Sequence, residues 1–101
     1  MTFTKVATAI DLLYDRMMGI ENAGKNILVA KMGDRYFALD DTCTHEGCRL
    51  SGGKIVNGTI RCPCHGSVFD PATGKVLRGP AERPIHVYHI KVERGSIWVD
   101  L

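Results

Sequence analysis

The chain has 101 residues, 45% of them hydrophobic and 24% charged, with a formal net charge of +2. That length sets the expectation of one domain with a modest core. So small a charge, with no Lys/Arg run, excludes an electrostatically driven nucleic-acid binder, and no apolar run approaches the roughly 20 residues of a membrane span.

In chain order the signals are short strands punctuated by turn residues. Residues 4–8 read as a first strand, and residues 9–16 have helical spacing for one turn at most. Residues 25–31 and 35–40 read as a hairpin across Met32-Gly33-Asp34, and the strand ending at Asp40 hands the chain to a cysteine-bearing loop. Residues 54–57 and 59–61 make a second, tight hairpin with Asn57-Gly58 as its turn. Pro71-Ala72-Thr73-Gly74 is a further turn, and residues 85–92 and 96–100 form a final hairpin over Arg94-Gly95. The pattern is that of an all-β domain of small antiparallel sheets. The opening Met1-Thr2-Phe3-Thr4-Lys5 carries no signal-peptide apolar region, so the expectation is a soluble, cytoplasmic protein.

Two boxes carry the chemistry: Cys43-Thr44-His45 and Cys62-Pro63-Cys64-His65. Each offers a thiol and an imidazole that can point at a common centre. Sixteen residues separate His45 from Cys62, enough for the intervening hairpin to bring the boxes face to face. Two thiolates and two neutral imidazoles make a metal site. Such a set holds a single tetrahedral Zn2+, or a [2Fe–2S] cluster with two Cys on one iron and two His on the other. Zinc-finger spacing usually segregates a Cys pair from a His pair. Here each box mixes the two, which lets each loop give one ligand to each iron. Cys48 and Cys64 are left over, and four cysteines allow three disulfide connectivities.

The run Cys43-Thr44-His45-Glu46-Gly47-Cys48, followed by Cys62-Pro63-Cys64-His65-Gly66-Ser67, resembles the Rieske iron–sulfur family. It is most similar to the branch with two extra cysteines, found in cytochrome bc1 and b6f complexes. Gly79-Pro80-Ala81 resembles the proline loop that closes over the cluster in that branch. The resemblance implies a small antiparallel β-sandwich of three sheets, a single Rieske domain over residues 1–101. Within it, a rubredoxin-like cluster-binding subdomain spans about residues 41–78. It implies that Cys43 and Cys62 bind the buried iron, that His45 and His65 bind the outer iron, and that Cys48 and Cys64 form a disulfide joining the loops.

Imidazoles in place of two thiolates make a cluster less negative and raise its potential, into a span of about −150 to +300 mV. Hydrogen bonds and nearby charge set the position within that span. By the same resemblance, Ser67 holds the position whose hydroxyl donates to a bridging sulfide in high-potential members. Phe69 stands where those members carry a tyrosine that donates to the sulfur matching Cys43, so that bond is expected to be absent. Glu46 stands beside His45 where quinol-oxidising members usually have an apolar residue. Its carboxylate would oppose reduction and alter the docking surface. The expected potential lies above dioxygenase-type ferredoxins and below respiratory Rieske proteins. Histidine ligands that present an N–H to solvent would make the potential fall as pH rises. A disulfide is unusual in the cytoplasm, and burial between the loops is expected to protect this one.

These features point to a soluble one-electron carrier, a monomeric Rieske-type ferredoxin rather than an enzyme. It would pass electrons from a reductase to an acceptor protein by weak, transient docking around His45, His65 and Pro80. One alternative is an electron-transfer subunit of a larger arsenite-, nitrite- or quinol-oxidising type of complex. Another is a zinc-binding interaction module. His86 and His89 lie in a strand pattern without Cys partners and read as ordinary histidines, and Met17-Met18 reads as core.

Overall fold

The computed structural model describes residues 2–12, 15–45 and 47–101. Among them the strands run β1 (Phe3–Thr8), β2 (Arg16–Asn22), β3 (Lys25–Met32), β4 (Arg35–Asp40), β5 (Lys54–Val56), β6 (Thr59–Arg61), β7 (Val68–Phe69), β8 (Val76–Arg78), β9 (Val87–Tyr88), β10 (Ile90–Glu93) and β11 (Ser96–Asp100). Two single 3-10 turns, Ala9–Asp11 and Leu50–Gly52, are the helical elements described. The strands form three antiparallel sheets, ordered β1-β11-β10, β2-β3-β4-β9 and β5-β6-β7-β8. The expected all-β, three-sheet architecture is the observed one.

β3 explains how the sheets hold together. Its run Ile27-Leu28-Val29-Ala30 is fully buried at every position, as a strand covered on both faces must be. Alternation sends Leu28 and Ala30 to one core, with Leu39, Leu50, Ile60, Phe69, Cys43 and Cys62. Ile27 and Val29 face the other, with Ala38, Ile97 and Val99. Each such aliphatic side chain contributes about 1.5–3 kcal/mol by leaving water. The first core reaches from the second sheet to the third, so the two box cysteines are part of the hydrophobic packing.

Three elements differ from the sequence expectation. β2 was not expected, because Gly19 and two methionines break the β-rich pattern. It forms because β3 offers a partner along its whole length, from Arg16 opposite Lys31 to Asn22 opposite Lys25. Packing of this kind outweighs intrinsic strand preference. The turn joining them, Ala23-Gly24, has positive φ at both residues, 52° and 78°, without the Asn or Asp that usually advertises such a turn. The short β7–β8 pairing was likewise missed. Finally, residues 85–92 are not one strand. β9 pairs with β4, the chain steps at His89, and β10 pairs with β11 in another sheet. The expected turn at 9–16 is present as the 3-10 turn; part of that window lies outside the described residues.

The Tyr88 hydroxyl donates to the Asp40 carboxylate, on the strand paired with its own. Burial first, and then that bond, push the Tyr88 pKa up to about 12. An unfolded tyrosine ionises near pH 10. Between about pH 10 and 12 the folded state therefore keeps a proton that the unfolded state has lost, and stability falls as pH rises through that window. Tyr88→Phe should cost about 0.5–1.5 kcal/mol in urea unfolding near pH 8. The gap between variant and parent should close as pH approaches 12; a gap independent of pH would refute this reading.

Candidate metal centre

β4 ends at Asp40 and leads into the first box; β6 ends at Arg61 and leads directly into the second. The two loops close alike. The Cys43 N–H donates to the Cys48 carbonyl (2.7 Å), and the Gly47 N–H donates back to the Cys43 carbonyl (2.9 Å). In the second loop the Cys62 N–H donates to the Ser67 carbonyl (2.8 Å), and the Gly66 N–H to the Cys62 carbonyl (3.3 Å). Gly47 and Gly66 both have φ of 77°, a left-handed conformation that glycine adopts without steric cost. The two boxes are therefore one backbone motif used twice.

Repetition of the backbone sorts the side chains. The leading cysteines, Cys43 and Cys62, are each 3% exposed, inside the first core. His45 and His65 are exposed, with ring centroids 5.2 Å apart and planes at 89°. Cys48 and Cys64 form a disulfide with Cα atoms 6.5 Å apart, the pairing that the resemblance implied. The Cys62 sulfur lies within 4.8 Å of both disulfide sulfurs. Cys48 and Cys64 have their sulfurs bonded to each other and offer no thiolate to a metal. The remaining donors are two buried sulfurs and two exposed ring nitrogens. Soft anionic donors inside and neutral donors outside fit a [2Fe–2S] cluster with chemically distinct irons. Of the two bridged residues Cys48 is half-buried and Cys64 exposed. Cys64 sits in the turn of the second loop, between the exposed Pro63 and His65.

The residues around the boxes tie the proline loop down. Ser67 is fully buried, and its hydroxyl oxygen accepts the Ala81 N–H (3.0 Å). The Thr44 hydroxyl donates to the Arg83 carbonyl (2.6 Å). Just before the first of these anchors Pro80 is exposed, after a cis peptide bond at Gly79. Phe69 is fully buried in the core that holds Cys43 and Cys62. Glu46 lies outside the described residues. His86 is exposed and stacks edge-on against Tyr88, and His89 is exposed at the step between two sheets.

Sequence reasoning missed Asp41. Its side chain is fully buried, and its carboxylate accepts both the Ser51 N–H and the Ser51 hydroxyl at 2.6 Å. The Arg49 guanidinium lies 3.8 Å away. Asp41 and Ser51 flank the first loop, so this carboxylate clamps its two ends. Gly19 of β2 lies against the clamp: a Cβ there would sit 2.5 Å from an Asp41 carboxylate oxygen and 2.7 Å from the Ser51 hydroxyl. No local pattern announces the node, because it needs β2 in place.

Buried thiols and exposed imidazoles, carried on paired loops in an all-β frame, define the class as a small iron–sulfur electron-transfer domain. The chain belongs to the Rieske [2Fe-2S] domain family, which it matches over residues 2–89. It is 33% identical over 91 residues to the ferredoxin component of the naphthalene 1,2-dioxygenase system of Pseudomonas putida, covering 90% of this chain and 88% of that protein. To the ferredoxin component of biphenyl 2,3-dioxygenase from Rhodococcus jostii (strain RHA1) it is 34% identical over 101 residues, covering 100% and 94%. Among solved structures it superposes, with a TM-score of 0.90 and 32% identity, on a chain of the complex of reduced oxygenase and oxidized ferredoxin in carbazole 1,9a-dioxygenase. The match covers 96% of this chain and 91% of that chain. These relatives are ferredoxin components of oxygenase systems, and this chain is likewise an electron-transfer protein, not a catalyst.

Asp41→Ala should lower stability by about 1–3 kcal/mol, because it leaves two part-buried donors of Ser51 unpaired. Gly19→Ala, which pushes on the same clamp, should share the defect. Urea unfolding reads both; a parental midpoint in Asp41→Ala would remove the clamp from the account.

Proposed function

We propose that this chain is the ferredoxin of an oxygenase system, taking one electron at a time from a reductase and passing it to a terminal oxygenase. The observation that carries this is the exposed His45–His65 pair on the same two loops as buried Cys43 and Cys62, in a chain that ferredoxin components match almost end to end. That coverage favours a free carrier over a subunit of a larger complex, and the solved ferredoxin–oxygenase complex supplies a precedent for the acceptor.

In this reading Cys43 and Cys62 hold the inner iron of a [2Fe–2S] cluster, and His45 and His65 the outer iron. The bound cluster supplies a one-electron couple. Leu28, Leu39, Leu50, Ile60 and Phe69 pack around the cysteine side and keep water from it. The Cys48–Cys64 disulfide holds the two loops together. Ser67 uses an oxygen lone pair on Ala81 and keeps its hydroxyl hydrogen for sulfur, where it would stabilise added electron density. Phe69 has no hydroxyl to contribute, and Glu46 adds a negative charge beside His45. With one donor kept and one lost, we expect a potential between the dioxygenase-type and respiratory ranges. Pro80 and the exposed histidines form the docking tip.

The same reading takes residues 1–101 as a single Rieske domain whose cluster-binding part is about 41–78; the third sheet, β5 to β8, falls wholly within that part. Among the described residues no helix is long and apolar enough to cross a membrane, and we place the carrier in the cytoplasm as a monomer.

Absorption and low-temperature EPR spectra of the purified protein, oxidised and dithionite-reduced, test this reading. A red-brown protein with a rhombic signal of low average g is expected. A colourless protein with stoichiometric zinc would overturn it. Voltammetry of Ser67→Ala should then show a potential lower by about 40–90 mV, the one-electron equivalent of a lost hydrogen bond of 1–2 kcal/mol. An unchanged potential would deny Ser67 its tuning role.

A further inference from the structure

The charges flanking the histidine pair are asymmetric. On the His65 side a groove is lined by Gly52, Gly53, Lys54, Arg61 and the second loop, and it holds two cations and no acid. On the His45 side the groove holds Glu82 and Arg83, which offset one another. Lys54 and Arg61 are direct cross-strand partners on the β5–β6 hairpin. Like charges in that position destabilise a sheet. Both residues are exposed, and neither forms an ion pair among the described residues. Arg61 is also drawn toward the second loop: a Cβ on Gly66 would lie 3.3 Å from a guanidinium nitrogen. The free protein thus keeps an unfavourable cation pair beside the ring from which an electron would leave.

We propose that Lys54 and Arg61 form a carboxylate-accepting seat, and that the redox partner docks on the His65 side of the tip through an acidic patch. The proposal rests on the electron-carrier reading above, and adds which flank is met and the charge of what meets it. Partner carboxylates between the two cations would remove a repulsion that no ion pair among the described residues relieves. The planar guanidinium of Arg61 suits bidentate contact with a carboxylate. Exposed charges of this kind speed encounter more than they prolong it, as a carrier that must leave again requires.

Stopped-flow oxidation of the dithionite-reduced holoprotein tests the seat with two acceptors, an acidic plastocyanin and a basic cytochrome c. In each reaction one electron leaves the protein and one arrives, on Cu(II) to give Cu(I) or on Fe(III) to give Fe(II). The variants are Lys54→Glu, and Lys5→Glu on β1 of the base, which makes the same change in net charge. Arg61→Glu replaces Lys54→Glu should the latter fail to fold. At low ionic strength Lys54→Glu should slow plastocyanin reduction about tenfold and leave cytochrome c reduction as fast or faster. Lys5→Glu should change either rate by less than about twofold. Lys54→Glu should also raise the unfolding midpoint, since opposite charges then face each other across the hairpin. Equal slowing by Lys54→Glu and Lys5→Glu, or slowing by neither, would overturn the seat while leaving the carrier reading intact. A parent protein that shows no cluster signal and reduces neither acceptor would overturn the carrier reading itself.

Discussion

The tip of the molecule depends on one strand being buried on both faces. β3 sends Ile27 and Val29 into the core of the base and Leu28 and Ala30 into the core that holds Cys43 and Cys62. Its register reaches the first loop through Asn26. The Asn26 carbonyl accepts the Asp41 N–H (2.9 Å), and its side-chain oxygen accepts from the Arg49 guanidinium (3.1 Å). Asp41 in turn holds Ser51 at the far end of the loop. A slip of β3 would flip its side chains between the two cores and would displace the loop as well. Fold and site are therefore one packing problem, and the ends of the loop are held more tightly than its exposed crown.

The crown works by an offset between backbone and sequence. Both loops close the same hydrogen-bonded circuit around a leading cysteine, which puts Cys43 and Cys62 in equivalent buried places. The histidine follows at the second position in one loop and the third in the other, and the spare cysteine at the fifth and the second. That mismatch brings two imidazoles within 5.2 Å on the outside while Cys48 and Cys64 meet between the loops. Cys64 is an exposed residue and Cys48 a half-buried one, and the bond between them has a safeguard besides burial. What opposes its loss is the paired-loop geometry, which keeps the two thiols adjacent and favours reclosure over separation.

The chemistry of the site was easier to read in the sequence than the frame that holds it. Cys, His and their spacing are dictated by what a metal accepts, so the two boxes and the Cys48–Cys64 pair stood out. Asn57-Gly58 announced its hairpin because few residues tolerate positive φ twice in succession. β2 was silent: Met17, Met18 and Gly19 have no strand signature, and Gly19 is small because Asp41 and Ser51 press on it. The step at His89 was silent for a related reason. Residues 85–92 alternate like one strand, and only the competing partners β4 and β11 divide it. Asp41 was silent too, because its surroundings include Gly19 of the unseen β2.

Charge joins the carrier's potential to its docking. On the proposed reading, the cation pair beside His65 and the Ser67 hydroxyl would both favour the reduced state of a bound cluster, and the charge of Glu46 would oppose it. Acidic groups of a partner seated on Lys54 and Arg61 would cancel part of that positive field. The added electron would then be held less tightly in the docked complex than in the free carrier. A chain so built would keep its electron while diffusing and yield it more readily on contact, and the repulsion between Lys54 and Arg61 would be the stability given up for that difference.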